Sequence, residues 1–286
     1  MKKSFLKKIL FLALMLFIIC SCSIKKDDLE GATIYTTVYP IKYITNYLYG
    51  PYSTINSIYP KDCDLNSFKL TKKQIEYYAD SNLFIYNGLT NEKEIAKSLI
   101  NKNKDLLIID VSYGLNVDND SEELWLSPKN YLMLAKNIKD NLTNYLTSKY
   151  IIEQVNNNYS DFEEKISLMD ANLRSIAAQA DDKNTIVTNS STLNFLKDYG
   201  FNVISLQDED NLKEIRLNNI KNKFKSGKYK YILCIDKEIN NDVITDLVDN
   251  YKAQTIIVDS LTLSLDEDDY FNIMNKFIEN IKTVLS

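Results

Sequence analysis

The sequence predicts an α/β protein in which two similar βα lobes, each built on a parallel sheet, are joined by one long rigid helix. Two observations predict this fold. Strand-like and helix-like segments alternate in both halves of the chain, and a helix-like stretch with almost no breakers separates the halves. Ligands of open parallel sheets bind beyond the carboxyl ends of the strands, so we expect a ligand cleft between the lobes.

Residues 32–146 contain the elements of an N-terminal lobe. The pattern predicts strands at residues 32–39, 53–59, 82–86 and 106–111, and helices at residues 41–48 and 91–100. Thr71, with Gln74 three residues later, has the spacing of a capping box and predicts a further helix start.

The middle of the chain predicts the helix that links the lobes. Ser127 and Pro128 are typical of a helix start, with serine at the N-cap and proline at the first helical position. From there to about residue 180 the sequence is helix-like, and apolar residues between Ile151 and Met169 recur at three- and four-residue steps. We assign residues 147–182 to the linking helix.

Residues 183–286 predict a C-terminal lobe by the same alternation. Strands are expected at residues 185–188, 202–206, 231–235 and 255–258, and helices at residues 192–199, 212–225, 243–251 and 270–285. Gly200 is suited to ending the first of these helices.

The N-terminus predicts export and a lipid anchor. Four lysines precede an apolar run at residues 9–19, and the sequence Ile-Cys-Ser-Cys follows at residues 19–22. This pattern resembles a bacterial lipobox, with Cys22 as the lipid attachment site. The apolar run is too short to span a bilayer. We therefore expect a signal peptide at residues 1–21, a tether at residues 22–31, and an extracytoplasmic protein anchored to the cell membrane.

Composition excludes several function classes. The net charge of −5 gives no support for a nucleic-acid partner. The chain has no histidine, which excludes Ser-His-Asp, Cys-His and histidine-zinc sites. Its six glycines form no phosphate-binding loop. Cys234 lies in an apolar strand and is expected in the core. The sequence thus predicts a monomeric binding protein and not an enzyme.

Four polar segments follow predicted strands or precede the long helix, at residues 62–68, 122–130, 188–190 and 258–260. Their motifs resemble those of the metal-binding lipoproteins of bacterial zinc and manganese ABC importers. Residues 64–71 resemble D-P-H-x-[FY]-x-x-[TS], residues 81–89 resemble A-D-L-[VI]-x-x-N-G-L, residues 123–128 resemble H-x-W-x-[SD]-P, residues 186–189 resemble V-[TS]-[HE], and residues 259–260 resemble D-S. The resemblance runs from about residue 32 to the C-terminus.

The resemblance implies a cation site with altered ligands. Where the family has histidine, histidine, and histidine or glutamate, this chain has Asn66, Glu123 and Asn189, and only Asp259 is retained. These four donors are all oxygen, which suits hard cations better than zinc. The resemblance therefore implies one divalent cation, Mn²⁺ in preference to Zn²⁺, and an ABC permease as the partner. Cys63 lies nearby, at a position that is not a ligand in the family.

Alternatives remain open at both the residue level and the function level. Asn66 and Asn189 also fit turn or strand-end residues that bond the backbone. Glu123 also fits a residue that favours a helix N-terminus, and Asp259 fits a turn residue. As alternative functions, the cleft of a divergent paralogue would bind a small organic ligand, or the fold would serve as a surface adhesion lipoprotein without transport.

Overall fold

The computed structural model describes residues 29–60, 63–65, 67–115, 123–180, 184–236, 242–262 and 269–286. Cys22, the predicted signal peptide and Asn66 lie outside these residues. Residues 29–31 of the predicted tether are described, and Leu29 is buried in the core of the first lobe. None of the described helices combines the length and apolar character needed to cross a membrane.

The N-terminal lobe has a four-stranded parallel sheet with the order β2-β1-β3-β4. Its elements are β1 (Ala32–Thr36), α1 (Tyr39–Tyr49), a 3-10 turn (Gly50–Tyr52), β2 (Ser53–Ser57), α2 (Lys72–Ala79), β3 (Leu83–Tyr86), α3 (Glu92–Lys102) and β4 (Leu107–Asp110). The first strand is shorter than predicted, because α1 begins at Tyr39 with a proline in its first turn.

The C-terminal lobe repeats this arrangement, with the order β6-β5-β7-β8. After two helices of the connection, α4 (Pro128–Tyr145) and α5 (Lys149–Gln179), it contains β5 (Thr185–Thr188), a 3-10 helix (Ser191–Tyr199), β6 (Asn202–Ser205), α6 (Glu209–Leu212), α7 (Glu214–Lys225), β7 (Tyr231–Ile235), α8 (Asp242–Tyr251), β8 (Gln254–Val258) and α9 (Tyr270–Leu285). The shared strand order confirms the predicted fold of two similar parallel-sheet lobes.

Local sequence signals explain where several helices begin and end. Thr71 and Gln74 form the predicted capping box at the start of α2. The Ser127 hydroxyl accepts a hydrogen bond from the Asn130 amide at the start of α4. Gly200 ends the 3-10 helix in the left-handed conformation, with φ of 99°.

The helix-like stretch after Ser127 forms two helices, and the second of them is the long helix that joins the lobes. α4 ends at Tyr145, and α5 begins at Lys149 after Ser148, whose hydroxyl accepts a hydrogen bond from the Ile151 amide. No glycine or proline marks this break, and Ser148 caps the start of the new helix. α5 has 31 residues and buries the predicted apolar stripe on one face. At 1.5 Å per residue it is about 46 Å long.

Aromatic side chains from both lobes meet along α5 and form what we call the aromatic seam: Tyr43, Tyr47, Tyr131, Phe162, Tyr270 and Phe271. The Tyr131 and Tyr270 rings lie 4.1 Å apart between centroids, and the Phe162 and Phe271 rings lie 5.5 Å apart. Tyr131 donates a hydrogen bond to the Pro40 carbonyl at 2.9 Å. The seam therefore packs α1, α4, α5 and α9 into one buried junction.

Candidate functional site

Two hydrogen bonds connect segments that lie beyond the carboxyl ends of the strands in the two lobes. The Thr192 hydroxyl donates a hydrogen bond to Glu123 Oε2 at 3.1 Å. The Tyr39 amide donates to the Thr262 carbonyl at 3.2 Å. Each bond joins a segment beyond the strands of one lobe to a segment beyond the strands of the other. Glu123 is thereby placed beside the strand ends of the C-terminal lobe.

Buried neighbours hold the segment that carries Glu123. A 3-10 turn, Leu124–Leu126, follows this glutamate directly, and all three of its side chains are buried. Trp125 Nε1 donates a hydrogen bond to the Ser260 carbonyl at 2.7 Å, and the Tyr270 hydroxyl donates to the Trp125 carbonyl at 2.7 Å. Trp125 is a packed anchor between the lobes, so the Glu123 backbone has little freedom.

Asn189 follows β5 and joins it to β7. Its side chain is buried at 1% exposure. Oδ1 accepts a hydrogen bond from the Ile235 amide at 2.8 Å, and Nδ2 donates to the Ile235 carbonyl at 3.0 Å. The sequence allowed two roles for Asn189, a cation ligand or a strand-end residue bonded to the backbone. The structure shows the backbone hydrogen bonds of the second role. An amide oxygen has two lone pairs, and one of them is used here.

Asp259 follows β8 and shapes a tight turn. Its Oδ1 accepts a hydrogen bond from the Leu261 amide at 2.7 Å. Leu261 has a positive φ of 59° and is fully buried. A non-glycine residue in this conformation is uncommon and is held by its surroundings, here the Asp259 carboxylate and the packed core.

Asp236 is a polar residue of the site that the motifs did not reveal. It follows β7, and its Oδ1 accepts a hydrogen bond from the Ser260 amide at 3.2 Å. Asp236 and Asp259 share the wall of a cavity of about 300 Å³ whose other side chains are Leu126, Ile257, Val258, Ile273, Met274, Lys276, Phe277 and Asn280. The sequence signal that could have identified Asp236 was its position directly after the predicted strand at residues 231–235.

A buried carboxyl lies at the corresponding edge of the N-terminal sheet. Glu92 accepts hydrogen bonds from the Asn87 amide at 2.7 Å and the Tyr59 hydroxyl at 3.3 Å. Burial raises the pKa of Glu92 to about 7, and the charge of Asp110 acts in the same direction. Glu92 is the first residue of α3 and is only 2% exposed, so its hydrogen bonds tie the start of this helix to the end of β3.

The two described cysteines are free thiols with raised pKa values. Burial raises the pKa of the Cys63 thiol, and the Asp64 carboxylate adds to the effect. Burial raises the pKa of Cys234 to about 11, which agrees with its predicted place in the core. Both thiols are therefore less acidic than a solvent-exposed thiol.

The predicted ligands that the structure describes, Glu123, Asn189 and Asp259, carry oxygen donors. Within those residues, no three histidine, cysteine, aspartate or glutamate side chains are grouped to hold a metal ion. The predicted set contributes two carboxylates, Glu123 and Asp259, and takes its other donors from amides. Oxygen donors suit hard divalent cations such as Mn²⁺ and Mg²⁺.

Comparison with known proteins identifies the family to which the chain is similar. Residues 34–284 match the protein family ZnuA, described as zinc-uptake complex component A, periplasmic. A putative metal-binding protein of Chlamydia trachomatis is 25% identical over 189 residues, which is 63% of this chain and 67% of that protein. The zinc-binding protein AdcA of Streptococcus pyogenes is 21% identical over 291 residues, which is 87% of this chain and 55% of that protein.

Solved structures show the same fold. The metal-dependent lipoprotein YcdH from Bacillus subtilis superimposes with a TM-score of 0.73 at 20% identity, over 89% of this chain and 100% of that one. At this identity the likeness concerns the arrangement of lobes, sheets and the long helix. The predicted resemblance to metal-binding proteins of bacterial importers is confirmed by the family match.

Proposed function

Because the chain belongs to the ZnuA family of periplasmic zinc-uptake components, we propose that it captures a divalent cation between its lobes and delivers it to an ABC permease. Members of this family are binding and transport components, which confirms that the chain is not an enzyme. The observation that carries the proposal is the hydrogen bond from Thr192 to Glu123, since it brings a carboxylate of the N-terminal lobe to the strand ends of the other lobe.

The proposed cation ligands are Asn66, Glu123, Asn189 and Asp259. Glu123 and Asp259 supply two negative charges, which balance one divalent cation. Asn66 lies outside the described residues, and Asn189 has one lone pair of its amide oxygen already bonded to Ile235. With no imidazole or thiolate donor, the set favours Mn²⁺ over Zn²⁺.

The proposed cellular setting follows from the N-terminus. A signal peptide at residues 1–21 and a lipid on Cys22 would keep the monomer at the outer face of the cytoplasmic membrane. The proposed organisation also includes a tether at residues 22–31, two lobes at residues 32–146 and 183–286, and the linking helix at residues 147–182. A protein held there meets its permease without diffusing away.

The experiment that tests the proposal is cation binding by the purified protein and two variants. Glu123→Gln and Asp259→Asn each remove one charge from the proposed ligand set and should weaken Mn²⁺ binding at least about tenfold. Glu164→Gln is the matched control, because Glu164 is an exposed carboxylate on α5. Binding that is absent in the unaltered protein, or that is unchanged in both ligand variants, would refute the proposal.

A second candidate is the binding of a small organic molecule, and the cavity beside Asp259 favours it. Asp236, Asp259 and Lys276 offer charge at its wall, while Met274 and Phe277 form an apolar floor. A volume of about 300 Å³ is at the lower end of small-molecule sites. A metal-free protein that purifies with an organic ligand, identified by native mass spectrometry, would favour this candidate over the cation.

A further inference from the structure

The hydrogen bond between Thr192 and Glu123 links side chains of the two lobes. It joins side chains 69 residues apart in sequence and crosses from one lobe to the other. Thr192 is only 6% exposed, and its amide donates to the Ser190 hydroxyl at 3.2 Å, which fixes the start of its helix. A fixed, buried donor therefore meets the carboxylate from the other lobe.

A fixed hydroxyl donor restricts the orientation of the glutamate side chain that it bonds. A glutamate side chain has several rotatable bonds, and ordering it on ligand binding costs conformational entropy. A hydroxyl that already bonds one carboxylate oxygen selects the orientation before the ligand arrives. It does not fill the carboxylate, because the two oxygens together have about four acceptor positions.

We propose that Thr192 is a positioning residue that orients the Glu123 carboxylate toward the cleft and thereby raises its affinity for the cation. The inference rests on the proposed function, because it assigns Thr192 a role in the same site. Nothing in the motifs of the chain pointed to Thr192, and a valine of the same shape would keep its packing but remove the hydroxyl.

The test is Mn²⁺ binding, measured by calorimetry, in a double-mutant cycle. Thr192→Val should weaken binding about tenfold, the size expected for losing a hydrogen bond to a charged group. Thr192→Ser keeps the hydroxyl and should restore most of the affinity. In the Glu123→Gln background, Thr192→Val should cause no further loss, because the carboxylate it positions is gone.

Ser191→Ala is the matched control. The Ser191 hydroxyl donates to Gln207 Oε1 at 3.1 Å within the C-terminal lobe, so its removal should leave Mn²⁺ affinity unchanged. Urea unfolding of each metal-free variant separates loss of binding from loss of folding.

The outcomes distinguish this inference from the proposed function. Failure of the unaltered protein to bind Mn²⁺ would remove the proposed function and the role of Thr192 with it. Normal binding by Thr192→Val would overturn the role of Thr192 alone. A loss of equal size in the presence and absence of the Glu123 carboxylate would also overturn it, because Thr192 would then act through packing.

Discussion

At the residue scale, Asn189 is bonded at both ends of its amide to the backbone of Ile235. Asn189→Ala would leave the buried amide and carbonyl of Ile235, at the end of β7, without these side-chain partners, so we expect the free energy of unfolding to fall by about 1–3 kcal/mol. The measurement is urea unfolding, with Asn202→Ala as control, because Asn202 makes its side-chain bond at an exposed position. Unchanged stability combined with lost cation binding would show that Asn189 serves the ligand instead.

Glu92 predicts a specific pH dependence of stability. Burial raises its pKa to about 7 in the folded protein, from an ordinary value of 4.5. Between these two pH values the folded state holds a proton that the unfolded state releases. The stabilisation from Glu92 is therefore complete below about pH 4.5 and is lost as the pH rises through about 7.

The measurement for Glu92 compares the unaltered protein with Glu92→Gln, which mimics the protonated side chain. The free energy of unfolding of the unaltered protein, relative to that of the variant, should fall between about pH 5 and about pH 8. Parallel stability curves over this range would show that the Glu92 carboxyl does not titrate with a raised pKa.

The sequence could predict which segments reach the cleft but not how each side chain is used. The family motifs pointed to Asn66, Glu123, Asn189 and Asp259 as ligands. Two of these four, Asn189 and Asp259, directly follow strands, and parallel strands end at one edge of a sheet. Their partners depend on how the lobes pack together. The bond from Thr192 to Glu123 spans 69 residues, and no local pattern encodes that distance.

At the element scale, α5 contributes Phe162 to the aromatic seam, where it is fully buried. Phe162→Ala should lower the free energy of unfolding by about 3–5 kcal/mol, because it leaves a cavity between the lobes. Tyr150→Ala is the control on the same helix, since Tyr150 is 64% exposed and should change stability little. Equal effects of the two substitutions in urea unfolding would show that the seam contributes no special stability.

The apolar stripe of α5 could be read from its three- and four-residue spacing, but the break before Ser148 could not. The helix-like pattern continues through residues 146–148 without a glycine or proline. Serine is compatible with both a helix interior and an N-cap, and tertiary packing decides between them. The first strand shows the same limit, because β-forming residues continue into the start of α1.

At the scale of the whole molecule, the aromatic seam and the long helix predict little relative motion of the lobes. The Tyr131 and Tyr270 ring centroids lie 4.1 Å apart across the junction, and moving the lobes far apart would expose both rings. We expect X-ray scattering to give the same radius of gyration with and without Mn²⁺, with any response confined to loops near Glu123. A clear decrease on cation addition would indicate domain closure and contradict this prediction.

The overall architecture was predictable because strand-helix alternation, the long central helix and the family motifs all indicate the same two-lobed fold. The same strand order in both lobes follows from this repeat. The cargo was less predictable. The family match over residues 34–284 indicates a metal-binding protein, but the histidine positions of the family motifs hold Asn66, Glu123 and Asn189, so the family's usual ligands do not identify the cation.

The central claim is that a cleft without histidine binds a hard divalent cation through oxygen donors. Its most direct test is competition between Mn²⁺ and Zn²⁺, measured from about pH 7.5 to about pH 4.5. No imidazole exists to protonate near pH 6, and carboxylates release metal only near about pH 4 to 5. We predict that Mn²⁺ competes better than at a histidine site and that its binding stays constant through about pH 6. Tight Zn²⁺ binding that collapses near about pH 6, or no binding of either cation, would contradict the claim.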